Sequence, residues 1–185
     1  MIPEKAKSRS VLVDAVDEQV IPLLTTRGFR DLEIAKESIP MRHLHRPRSD
    51  GGYDAISVIF DKKRRPLFYG VINVIGADGV RQPWGEFIAA SDAPAFSPLT
   101  RVLIQKRRQG VLPTLLPRWF CYGWFGFRAQ ESAEINRTEA LRACREFAEC
   151  LEQAERWWAT KQLGPNLVSQ NIEMPRVITR HKQCS

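Results

Sequence analysis

Two strand-like runs, separated by six charged or turn-forming residues, constrain this chain more than any other feature. Ala55 to Phe60 (AISVIF) and Leu67 to Ile75 (LFYGVINVI) are rich in β-branched and aromatic residues, the types that suit a pleated, half-buried surface. Between them Asp61 to Pro66 (DKKRRP) is a charged turn. A parallel pair needs a crossover of about a dozen residues or more, so the two runs are expected to form an antiparallel hairpin.

The flanking sequence extends that hairpin into a sheet. Ile39 to Arg46 (IPMRHLHR) alternates apolar and polar residues, and Arg48 to Gly52 (RSDGG) is turn chemistry. Gly76-Ala77-Asp78-Gly79 closes the second run, and Trp84 to Ala90 is a further candidate strand. Leu99 to Arg107 has helical spacing, with Gly110 to end it, and reads as a short helix. Arg118 to Arg128 (RWFCYGWFGFR) is apolar on both faces, the pattern of a central strand covered on both sides.

Helices are expected at both ends. One begins near Ser8 or Ser10, either able to cap it, and carries Leu12, Val16, Val20 and Leu24 on one face. Pro22 should kink or restart it. Gly28 supplies the left-handed residue that ends it, and Phe29 re-enters the core. The last long element starts at a capping-box-like pair, Asn136 and Glu139. Its apolar stripe is Leu141, Cys144, Ala148, Leu151 and Trp158, and Gly164-Pro165 stops it. Residues 166–185 read as an extended tail, with Ile172 to Ile178 a candidate edge strand. The fold class is therefore α+β: an antiparallel sheet of about four to six strands, covered by an N-terminal helix and a long C-terminal amphipathic helix. Residues 1–185 are expected to form a single domain with loose termini at 1–7 and 179–185.

Charge and cysteine usage bound the function. Lys and Arg number 28 against 21 Asp and Glu, giving +7, and no basic tail concentrates the excess. Such a balance favours an anionic partner without specifying one. The four cysteines form no C-x-x-C pair and match no zinc module. With no secretory leader and no apolar run near 18 residues, a cytoplasmic protein with no membrane role is expected.

Several groups of residues carry candidate chemistry. Lys62, Lys63, Arg64 and Arg65 sit in the hairpin turn, Lys106, Arg107 and Arg108 follow the short helix, and Arg42, Arg46 and Arg48 line the first strand. Cations so clustered bind phosphates by releasing counterions, provided they share a face; charged turns also simply guard a sheet edge. His43 and His45, two residues apart, point to one side of a strand. They could begin a metal site, but no third ligand has the spacing for it, and half-exposed strand histidines explain them as well. Asp61 and Lys63, with Asp50 or Asp54, make a carboxylate–lysine pattern of the metal-dependent nuclease type. That pattern is short enough to recur by chance. Cys121, set among aromatics, reads as a buried thiol rather than a nucleophile.

The aromatic strand offers an apolar ligand pocket of Trp119, Tyr122 and Trp124 with His43 and His45 nearby; a packed core accounts for the same residues. Adjacent Trp157 and Trp158 should not both face one core, leaving Trp157 as a partner anchor beside Glu149 and Glu152. No P-loop, G-x-G-x-x-G, G-x-S-x-G or H-E-x-x-H is present, and no cofactor or metal is implied. The leading expectation is a non-enzymatic binding module for nucleic acid or a protein partner. The alternative is an enzyme or small-ligand binder with its pocket beside residues 118–128.

Overall fold

The computed structural model describes residues 4–32, 41–61, 67–82, 85–97, 100–106, 120–121 and 133–171. The chain is α+β. Two helices, α1 (Glu4–Thr26) and α2 (Ala133–Thr160), lie against an antiparallel sheet. Its strands are β1 (Arg30–Asp31), β2 (Met41–Pro47), β3 (Tyr53–Phe60), β4 (Leu67–Ile75), β7 (Thr100–Ile104) and β9 (Leu167–Asn171), in that spatial order. The two-residue β8 (Phe120–Cys121) continues the β7 edge of β4. The hairpin β5 (Val80–Arg81) and β6 (Phe87–Ile88) stands apart as its own small sheet.

The expected hairpin is present, with Phe60 opposite Phe68 and Tyr53 opposite Ile75. Alternation then assigns the two faces. Ile56, Val58, Phe60, Phe68 and Ile72 point at the helices, where Leu12, Val16, Val20 and Leu24 of α1 are fully buried. From α2 come Ala140, Cys144, Phe147, Leu151 and Trp158. Gly70 lets Phe147 reach the sheet: a Cβ there would lie 2.8 Å from the Phe147 ring and 3.0 Å from Ile104. Phe147 also meets Phe68 at 5.3 Å and Phe120 at 5.1 Å between ring centroids. On the opposite face Ala55, Ile59, Val71 and Ile75 pack under Ala93 and Ala95 of the chain between β6 and β7.

The helix ends follow local rules, with corrections. α1 is one continuous helix from Glu4 to Thr26 with Pro22 exposed on its surface, so the proline does not restart it. It closes as expected at Gly28 (φ 88°), with Phe29 N–H donating to Leu24 O and Gly28 N–H to Thr25 O. That pair of bonds satisfies two carbonyls a helix end leaves open. α2 contains Asn136 within its first turns rather than at its cap, and it stops at Lys161, not at Gly164-Pro165. Lys161 itself takes the left-handed conformation (φ 61°), its N–H donating to Trp157 O.

Three further expectations change. Thr100–Ile104 is a strand, not a helix: Val102 and Ile104 face the helices, and the segment pairs with β4 and β9. Leu167–Asn171, placed in the tail by sequence, is an edge strand; Ile172 to Ile178 lies outside the described residues. Trp157 and Trp158 are both buried, at 9% and 4% exposure. Trp158 packs on Phe29 and donates from Nε1 to Asn73 O at 2.9 Å, while Trp157 is covered by the Lys161 ammonium 4.6 Å from its ring. A helix end that turns back over its own last residues can bury two adjacent indoles, so Trp157 is not an exposed anchor.

Candidate functional site

The basic residues separate into two kinds. Arg42, Arg46 and Arg48 are structural. Arg42 makes a two-pronged contact with Asp17 of α1, at 2.6 and 2.8 Å, and that pairing raises its pKa. Arg46 bonds Asp54 of β3 at 2.8 Å and Glu155 of α2 at 2.8 and 3.0 Å. Its guanidinium lies over Phe29 and Trp158, 4.6 and 5.3 Å from the ring centres. Arg48 holds Asp50 and the other oxygen of Asp54. Each of these cations is spent inside the protein, tying β2 to a helix or to its own turn.

The second kind belongs to segments outside the described residues. Twelve of the 28 Lys and Arg, but only four of the 21 Asp and Glu, fall outside the described residues. The net positive charge of the chain therefore belongs to those segments and not to the body of the fold. Lys62, Lys63, Arg64, Arg65, Arg107 and Arg108 are among them. The described strands fix where these segments are attached. Segment 62–66 joins the β3 end at Asp61 to the β4 start at Leu67. β7 runs antiparallel to β4 with Ile104 opposite Gly70, so its exit at Lys106 points the same way. β8, with Phe120 opposite Phe68 and Cys121 opposite Leu67, leaves there too. Neighbouring strands are about 5 Å apart, so the strand ends at Asp61, Leu67, Lys106 and Cys121 that anchor these segments span only about two strand spacings at one sheet end. Lys106, half exposed, pairs with Glu146 of α2 at 2.7 Å.

His43 and His45 project from β2 onto the face away from the helices, as their spacing requires. They are buried rather than half exposed, at 6% and 5%, because residues 89–97 cover them. His43 Nδ1 shares a 2.9 Å hydrogen bond with Ser57 Oγ, and its ring meets Phe96 at 5.4 Å. His45 Nε2–H donates to Ala93 O at 2.8 Å, and its ring meets Tyr53 at 5.2 Å. Burial, reinforced by His45 and Arg42, lowers the His43 pKa to about 4; burial also lowers that of His45. Both rings are therefore neutral core groups near pH 7. Trp119, Tyr122 and Trp124, the aromatic part of the expected pocket, lie outside the described residues.

The nuclease-type pattern is not assembled. Asp50 and Asp54 serve Arg46 and Arg48 at one end of β3, whereas Asp61 follows its other end, seven residues and about 23 Å away. Among the described residues no group of three or more His, Cys, Asp or Glu is placed to hold a metal ion. Cys144 and Cys150 are buried, with pKa values pushed up by burial to about 12 and about 11, so neither is a ready thiolate. No described helix is long and apolar enough to cross a membrane. Comparison of the chain with protein-family models, curated proteins and solved structures finds no match.

The Arg46 network is not legible from local pattern. Its partners are 8 and 109 residues away, and only the i, i+2 spacing of Arg42, Arg46 and Arg48 with Leu44 on one strand face hints that these cations point inward at the helices.

Proposed function

We propose that this protein is a non-enzymatic binding module that engages nucleic acid at the end of the sheet where β3 ends, β4 begins and β7 leaves. The observation that carries this reading is the strand register, which attaches the segments bearing Lys62–Arg65 and Lys106–Arg108 to the same sheet end. Across residues 62–66, 106–119 and 122–132 there are nine Lys or Arg and one acidic residue, Glu131. Clustered cations over a short span bind a phosphate backbone and release its counterions, and the aromatics of residues 119–127 suit stacking on unpaired bases.

The described surface supports this choice over a protein partner. Its only exposed large hydrophobics are Phe87 and Leu163, on separate elements, and single exposed apolar residues make no docking patch. A catalytic reading draws no support from histidines and thiols that are buried and neutral.

The test is tryptophan fluorescence, titrated with single-stranded and duplex oligonucleotides of mixed sequence at about 50 and 200 mM salt. Saturable binding that weakens steeply with salt, and is lost when Lys62, Lys63, Arg64 and Arg65 are all changed to Ser, is the expected result. Binding indifferent to salt and to that fourfold change, or no binding by an unlabelled mobility assay, would overturn the proposal.

A further inference from the structure

Residues 89–97 are attached to the sheet in an unusual way. They form no ladder with it. Their backbone bonds are local, Asp92 N–H to Ala89 O and Ser97 N–H to Pro94 O. Side chains do the holding, and they take alternate carbonyls. His45 Nε2 binds Ala93 O, Asn73 Nδ2 binds Ala95 O at 3.3 Å, and Gln82 Nε2 reaches Ser97 O at 3.4 Å. Asn73 also donates to Thr100 O at 2.7 Å, where the segment enters β7. The apolar contribution comes from Ala93, Pro94 and Ala95, all buried, and from Ala90 and Phe96, partly buried. A segment held by side-chain bonds, two of them long, rather than by a backbone ladder opens at lower free energy than a ladder-bonded strand.

We propose that residues 89–97 form a detachable strap, opening as a unit while the sheet beneath stays folded, and that acid drives the opening through His43 under Phe96. The mechanism is hydration. With the strap closed, His43 is buried, with Ser57 and the Phe96 ring among its neighbours. With the strap lifted, the ring meets water and regains its ordinary affinity for a proton. The charged and titratable groups that act on the pair are Arg42 on β2 and Asp92 on the strap, with Tyr53 on β3 against the His45 ring; Asp17 on α1 and Asp31 on β1 act on Arg42. Those felt by His43 itself, His45 and Arg42, both oppose its protonation. At His45 the carbonyls of Ala93 and Ser91 and the charge of Asp92 offset part of the burial but leave its pKa lowered, so His45 adds to the acid dependence in the same direction and His43, whose neighbours all oppose its charge, is the main trigger.

The sign follows from the two states. The closed state binds the His43 proton near pH 4 and the open state near the ordinary 6.5. Opening is therefore little affected above about pH 6.5 and becomes up to tenfold easier per unit below it, reaching roughly 150-fold at pH 4 and approaching about 300-fold only below that. The experiment is amide hydrogen exchange on the whole chain, corrected for intrinsic rate, following Asp92 and Ser97 against β3 and β4 amides such as Ile56 and Ile72. The expected result is at least tenfold lower protection in the strap at pH 7, a further fall between pH 6.5 and 4 while the sheet stays protected, and loss of most of that fall in His43→Asn. Strap amides that share the sheet's protection at pH 7 would overturn the proposal. So would strap protection unchanged between pH 6.5 and 4, or a fall that persists undiminished in His43→Asn. The wild-type series decides the matter even if the variant does not fold.

Discussion

Replacing Arg46 by Met tests whether the arginines of β2 belong to the fold rather than to a binding surface. The substitution keeps the length of the stem and removes the fork. It breaks the bonds to Asp54 and Glu155 and the stacking over Phe29 and Trp158. Removing one partner of a fully buried pair costs about 3–5 kcal/mol. Here the side chains of Arg46, Asp54 and Glu155 are 24%, 9% and 28% exposed, and Asp54 retains Arg48 at 3.0 Å, so the ionic part falls to about 2 kcal/mol. Loss of the cation–π contacts adds about 1 kcal/mol, while Met recovers some apolar packing. The net expectation is about 2–3 kcal/mol of lost stability. At this chain length that is a drop in Tm of roughly 4–12 °C. Urea denaturation followed by tryptophan fluorescence measures it, since Trp158 reports on the site directly. The loss should persist in about 0.5 M salt, because partly buried pairs are screened weakly. A change under about 0.5 kcal/mol, or one that vanishes in salt, would show Arg46 to be an ordinary surface cation and return it to the pool of candidate phosphate ligands.

Other substitutions probe separate links. Gly70→Ala drives a methyl into Phe147 and Ile104 and should cost about 1–3 kcal/mol; combined with Phe147→Leu it should cost less than the sum of the two single changes, as read by a double-mutant cycle in urea. Gly28→Ala meets no close atom, its nearest neighbour being Arg46 Cδ at 3.6 Å, yet should cost about 1 kcal/mol because an L residue must hold φ near +88°. The depressed His43 pKa means that the unfolded chain binds its proton first. Global stability should therefore be full above pH 6.5 and fall as the pH drops toward 4, and His43→Asn should flatten that part of the urea-midpoint profile.

Elements whose partners lie close in sequence were legible. The β3–β4 hairpin, the α1 stripe and its Gly28-Phe29 ending each rest on residues within one or two turns or across a short loop. β7 was misread because Leu99, Val102, Leu103 and Lys106 have helical spacing while Val102 and Ile104 alternate as in a strand, and its strand state is decided by long-range pairing to β4 and β9. The indole pair was misread because helical periodicity assumes one buried face, whereas the Lys161 turn folds back over Trp157. Burial of His43 and His45 depends on a strap some 50 residues downstream that has no regular pattern of its own. Of the site, sequence showed the basic clusters but not the strand register that attaches them at one end, nor the acidic partners that take Arg42, Arg46 and Arg48 out of consideration.

The central claim is most directly tested by the salt dependence of oligonucleotide affinity, measured for the wild-type chain and for the variant with Lys62, Lys63, Arg64 and Arg65 changed to Ser. Each phosphate contact to a single strand contributes about −0.7 to the slope of log K against log salt. The account predicts a steep slope in the wild type that is shallower by roughly 3 in the variant, with the urea midpoint unchanged. Equal slopes for the two proteins, or no measurable affinity at low salt, would contradict it.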